Sequence, residues 1–79
     1  MYFNLEKNEE VRSIFENTID DEKILEKLEL YLGKKINIDK TIFFFDEVQV
    51  SENFIVSLKY FNESQKPYKI VCAGSLLRS

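Results

Sequence analysis

An α/β fold, with a three-stranded parallel sheet and helices packed on it, is what this 79-residue sequence predicts. Three observations carry that reading. Ile42-Phe43-Phe44-Phe45 is an unbroken apolar run that ends on two adjacent carboxylates, Asp46 and Glu47. A half-buried antiparallel strand alternates apolar and polar residues, whereas a strand covered on both faces reads as continuous. The run is therefore expected to be a central strand with helices on both sides of it, in three layers. Helical patterns, not tight turns, separate it from the other strand candidates, so the connections are crossovers and the sheet is parallel. Finally, both acids fall at the carboxyl end of that strand, where open α/β sheets place their ligands.

The elements follow in order. Tyr2-Phe3-Asn4-Leu5 is short and aromatic, a first strand. Asn8 is placed to cap a helix whose first turn holds Glu9 and Glu10, where the dipole favours anions. Val11, Ile14 and Phe15 give that helix one apolar stripe. Thr18 or Asp20 starts a second helix, with Ile24, Leu25, Leu28, Tyr31 and Leu32 along one side. Gly33 sits just past the stripe, where a left-handed cap is wanted. Ile36 and Ile38 belong to a connector that tucks under the sheet. After the acidic strand, Ser51 caps a third helix with Phe54, Ile55, Leu58 and Phe61 on its apolar side, ending near Ser64 before Pro67. Lys69-Ile70-Val71-Cys72-Ala73 is the last strand, closed by Gly74-Ser75. Phe43, Phe44, Phe45, Phe54 and Phe61 are expected in the core, and the four tyrosines half-buried with their hydroxyls in water.

Size and composition bound the function. Residues 1–79 make a single domain, which buries roughly 60% of the surface its unfolded chain exposes. An apolar content of 44% excludes disorder. The formal net charge of −3 argues against nucleic-acid binding, which needs a basic footprint. One cysteine permits no internal disulfide, and no leader or membrane-spanning stretch is read, so the expectation is a soluble cytoplasmic protein. With no histidine in the chain, Cys72 has no partner for nucleophilic catalysis, and zinc sites lack ligands. A phosphatase of the haloacid-dehalogenase type needs a second Asp two residues after the first, and that position is Val48. A receiver domain needs its acid pair on a different strand from the phosphorylated Asp, which is not the pattern here.

The segment Phe45-Asp46-Glu47-Val48-Gln49 resembles the Walker B element of AAA+ ATPases. Followed by Leu58-Lys59-Tyr60-Phe61 and Ala73-Gly74-Ser75-Leu76-Leu77, it looks like the middle of the prokaryotic AAA+ ATPases that carry a nuclease-like C-terminal domain. The match runs from Tyr2 to Ser79. The resemblance implies a partial P-loop NTPase core whose parent family uses ATP and Mg²⁺. It implies Asp46 as the magnesium-side acid, Glu47 as the catalytic base for water, and Ser75 as the polar sensor near the γ-phosphate. Family sensors are often Asn or Thr, so Ser75 departs from the pattern. Read without the resemblance, Asp46-Glu47 is the polar start of a loop after a buried strand.

The phosphate loop is missing from this sequence. The pattern G-x-x-x-x-G-K-[ST] needs two glycines five apart, and the chain has only Gly33 and Gly74. Gly33-Lys34-Lys35 imitates its end, but residue 28 is Leu and residue 35 is Lys. In the family this loop would lie upstream of Met1. The expectation is a chain that binds neither ATP nor Mg²⁺ and does not hydrolyse ATP by itself. Arg78 reads as an exposed charge. The resemblance also places the loop-bearing strand beside Lys69–Ala73, which is here left as an apolar edge. Such edges recruit other chains, so a homo-oligomer joined through that strand is expected. The rival function is a non-catalytic protein-interaction module that uses the acidic strand end and the same edge.

Overall fold

The computed structural model describes residues 1–75. Strand β1 is Tyr2–Asn4, followed by helices α1, Glu9–Asn17, and α2, Asp21–Leu32. A 3₁₀ turn, Ile38–Lys40, leads into β2, Ile42–Asp46. A second 3₁₀ turn, Val48–Val50, precedes α3, Glu52–Glu63, and the last strand, β3, is Lys69–Cys72. The sheet has the order β1-β2-β3 and both pairs are parallel, as expected. In register, Tyr2, Phe44 and Val71 form one row, and Phe3, Phe45 and Cys72 the next.

Local chemistry sets the boundaries. Asn4 Oδ1 accepts from the amides of Glu6 and Lys7, which turns the chain out of β1. Asn8 Oδ1 caps α1 by accepting from Val11 N at 3.0 Å. Asp20 holds the cap position of α2, but its side chain makes no cap hydrogen bond. Gly33 ends that helix at φ 73°, its amide bonded to Glu29 O. The left-handed conformation has no steric cost without a Cβ. Ser51 Oγ caps α3 by accepting from Phe54 N at 3.1 Å.

Three helices share one side of the sheet. Phe45 is the hub: its ring lies 5.5 Å from Phe3, 5.5 Å from Phe15 in α1 and 4.8 Å from Phe54 in α3. Val11, Ile24, Leu28, Phe43 and Phe61 close the same core, and Ile36 and Ile38 pack at its margin. The other side carries Tyr2, Ile42 and Val71, which are 58%, 56% and 46% exposed.

Five expectations are corrected. The arrangement has two layers, not three, because both crossovers step the same way across the sheet. Right-handed crossovers in one direction deposit every helix on one face. Phe44 therefore leaves the core and stacks on Tyr2 over the open face, with ring centroids 5.5 Å apart. On α3 the buried positions are Phe54, Ser57 and Phe61, with Leu58 partly buried, and Ile55 is exposed. Spacing i, i+3, i+4, i+7 leaves no room for i+1, and Ser57 is accepted there because its hydroxyl donates to Phe54 O at 2.6 Å. Nor are all the tyrosine hydroxyls left to water: Tyr2 donates to Asp46 and Tyr68 to Asp21. Tyr31, expected on the α2 stripe, is exposed and accepts from Asn8 Nδ2.

Candidate functional site at the carboxyl end of the sheet

Asp46 is the last residue of β2 and shares the open face with Ile42 and Phe44, since alternate residues point the same way. Its Oδ2 accepts from the Tyr2 hydroxyl at 2.7 Å, and its Oδ1 from the Glu47 amide at 2.9 Å. The hydrogen bond to Asp46 is the main reason the Tyr2 hydroxyl titrates above its usual 10. Desolvation and the charges of Asp46 and Glu47 push the same way. A carboxylate has about four acceptor sites. Two are used, so Asp46 keeps lone pairs for a hydrated cation.

Glu47 turns out of the strand. Its φ of 54° and ψ of 46° are left-handed, the sole positive φ at a non-glycine among the described residues. The next amide, Val48 N, donates to Ala73 O at 3.1 Å and ties the turn to the end of β3. The Glu47 carboxylate consequently goes a different way from that of Asp46. Its Oε1 accepts from Gln49 Nε2 at 3.2 Å, and the same nitrogen donates to Ser75 Oγ at 3.3 Å. An amide nitrogen carries two hydrogens, one for each partner. Gln49 thus joins the acid after β2 to the serine after β3.

Gly74 makes this bridge fit. A Cβ at that position would collide with Gln49 Oε1, so the carboxamide lies directly on the glycine backbone. Gln49 Oε1 is itself buried without a donor. Leaving such an atom unsatisfied costs about 1–3 kcal/mol, and that is spent where strain is often held for function.

The three residues singled out from sequence, Asp46, Glu47 and Ser75, converge on this end of the sheet. Gln49 links Glu47 and Ser75 directly, while Asp46 joins them only through the Glu47 amide. Two contributors were missed. Tyr2 faces Asp46 because register places it opposite Phe44, two residues short of the acid. Gln49 stood in the motif without a role. Leu76, Leu77 and Arg78 lie outside the described residues.

The donor set fits half of a magnesium–nucleotide site. Asp46 and Glu47 supply oxygens suited to Mg²⁺, which keeps several waters and takes one or two carboxylates. Among the described residues no three His, Cys, Asp or Glu side chains cluster as a metal cage. The phosphate side does not fit. Gly33 is occupied as a helix cap, and Gly74 lies under Gln49.

A parallel sheet with helices on it and acids at the carboxyl end of the middle strand is an α/β architecture consistent with a partial P-loop NTPase type. The chain belongs to the AAA domain family, whose model matches residues 1–79. No curated protein and no solved structure matches it. No helix among the described residues is long and apolar enough to cross a membrane.

Proposed function

We propose that this chain supplies the acid-bearing part of an ATP site, in a cytoplasmic AAA+ ATPase of the kind with a nuclease-like C-terminal domain. In this reading Phe45–Gln49 is the Walker B element. Asp46 would hold Mg²⁺, Glu47 would orient the attacking water and accept its proton, and Ser75 would sense the γ-phosphate. The bound ion would neutralise charge on the phosphates. The observation that carries the reading is the divergence of two adjacent carboxylates, one toward Tyr2 and the other toward Gln49 and Ser75. Two jobs at one strand end need two directions.

By itself the 79-residue chain does not hydrolyse ATP. Electrostatic stabilisation of the transferred phosphoryl group is most of this catalysis, and its sequence contains no phosphate loop or P-loop lysine. Thermal melting with Mg²⁺ and ATP, beside Asp46→Asn, tests both statements. No shift is expected from the chain alone. A ligand at a hundred times its Kd adds about 2.7 kcal/mol. A rise of that order that Asp46→Asn removes would overturn the inactive-alone statement and keep Asp46 as the metal side. In an assembly that supplies the phosphate loop, Glu47→Gln is expected to abolish turnover with nucleotide still bound. Unchanged turnover would remove Glu47 from the chemistry.

The second reading, a protein-interaction module, is favoured by the open face and by the outer edge of β3, which pairs with no strand among the described residues. It predicts that Glu47→Gln changes no nucleotide behaviour.

A further inference from the structure

We infer that Gln49 is a positioning residue for the proposed ATPase reaction, one that keeps the base Glu47 and the sensor Ser75 in step through a single side-chain amide. The inference rests on the ATP-site reading and gives a role to a residue which that reading leaves idle. Gln49 is the middle residue of the 3₁₀ turn Val48–Val50. The backbone around it is tied down on both sides. Val48 N donates to Ala73 O at 3.1 Å, and Ser51 N donates to Val48 O at 3.2 Å. The Val48 side chain is buried in the core. From this fixed base the Gln49 side chain reaches over to the end of β3, where its Nε2 lies 3.2 Å from Glu47 Oε1 and 3.3 Å from Ser75 Oγ. The carboxamide rests on Gly74, which has room for it only because no Cβ is present there.

Hydrogen-bond polarity gives the bridge its use. The amide nitrogen only donates, so Glu47 and Ser75 each meet it with an acceptor. Turning the carboxamide over would set its oxygen against the Glu47 carboxylate, so the charge of Glu47 fixes the direction. Ser75 Oγ, accepting from Gln49, keeps its own proton to donate, and phosphate oxygens are acceptors. The bridge engages Oε1 of Glu47 and leaves Oε2 for the proton of the attacking water. Each end therefore has the polarity that its role demands. When Ser75 turns to donate to a γ-phosphate oxygen, Gln49 carries that movement to Glu47. Asp46 stands outside the bridge, since its oxygens accept from the Tyr2 hydroxyl and the Glu47 amide. Gln49 thus bears on the chemical step and not on the hold on the metal.

Two measurements test it. Nuclear magnetic resonance of the Gln49 side-chain amide reads the bridge in the chain itself, without nucleotide. Its two protons are expected to resonate apart, one moved by Glu47→Gln and the other by Ser75→Ala. An amide that responds to only one of these changes, or to neither, overturns the inference. The second measurement is steady-state turnover in an assembly that supplies the phosphate loop. Gln49→Met keeps the length of the side chain and removes both donors. It is expected to lower kcat by about 10- to 100-fold, as for a lost hydrogen bond to a charged group, with the KM for Mg²⁺–ATP little changed. Gly74→Ala crowds the carboxamide off its seat and is expected to lower kcat in the same way, yet to add no loss once Gln49→Ala has emptied the space. A Gln49→Met protein that melts lower but keeps its kcat overturns the inference, because Gln49 is then structural only. Glu47→Gln, run beside it, separates the two failures. If Glu47→Gln abolishes turnover while Gln49→Met retains it, the inference alone falls. If Glu47→Gln leaves turnover unchanged, the ATP-site reading falls and the inference with it.

Discussion

Phe43 and Phe44 are the same residue one peptide bond apart, and the fold treats them as different materials. Phe43 and Phe45 sit in a core closed by three helices, with no contact to water beyond a few per cent of their surface. Phe44 lies on the bare side beside Ile42, with the Tyr2 ring as its cover. The side chain does not decide which environment it meets. Strand order does, because two right-handed steps in the same direction send every helix to one face. An apolar residue on the other face is an unspent contact, and parallel sheets are rarely left with one side uncovered.

The sharpest way to break the comparison is to truncate each ring. Phe45→Ala removes the hub that touches Phe3, Phe15 and Phe54. Core Phe→Ala changes cost about 3–5 kcal/mol, a large share of the stability of so small a domain. Phe44→Ala loses one stacked partner and little buried area, so a loss under about 1.5 kcal/mol is expected from the aromatic pair. Urea unfolding of both variants checks the ratio. Equal losses would mean that the open face is covered in solution.

Much of this architecture was legible. Asn8, Ser51 and Gly33 marked helix ends through side-chain and backbone chemistry that acts within a few residues, and each sits where that chemistry put it. The apolar run of β2 marked a strand, and the acids after it marked the site. Two-sided burial was read from the same run and was wrong, because continuity says that both faces are apolar, not that both are covered. The Tyr2–Asp46 bond was hidden by register, a property of two strands about forty residues apart. The turn at Glu47 was hidden for the opposite reason. Left-handed backbone is favoured by Gly, Asn and Asp, so a Glu there contradicts local preference.

That contradiction yields a prediction with the other sign. Glu47 sits at the rim between the two faces, in a conformation that costs a residue with a Cβ roughly 1–2 kcal/mol. Glu47→Gly is expected to stabilise the chain by about 1 kcal/mol, after subtracting the greater freedom that glycine brings to the unfolded state. For a domain of this size that is a rise in Tm of roughly 4–8 °C. The carboxylate bonded to Gln49 is lost in the same step, so the gain in stability would mark the acid as kept for something other than folding. A lower Tm for Glu47→Gly would show instead that its hydrogen bond to Gln49 outweighs the backbone strain.

The smallest effect sharpens the contrast between two tyrosines, each bonded to a carboxylate on opposite faces. Tyr68, on the helix side, donates to Asp21 Oδ2 at 2.9 Å and packs edge-on against Phe61. Burial first, then the Asp21 hydrogen bond, raises its pKa well above the ordinary 10. A group whose folded pKa is raised contributes stability below its unfolded pKa, and that contribution falls as pH climbs from 10 toward the folded value. Tyr68→Phe keeps the ring and removes the hydroxyl, for a loss of about 1 kcal/mol at neutral pH. Above pH 10 the two proteins are expected to converge in Tm, because the wild type then loses what the variant never had. The pKa of the Tyr2 hydroxyl is raised too, chiefly by its bond to Asp46. That bond lies largely in water, so Tyr2→Phe is expected to change the alkaline limb of the Tm–pH curve in the same direction and by less. Were Tyr2→Phe to flatten that limb as much as Tyr68→Phe, the open face would be as shielded from water as the core.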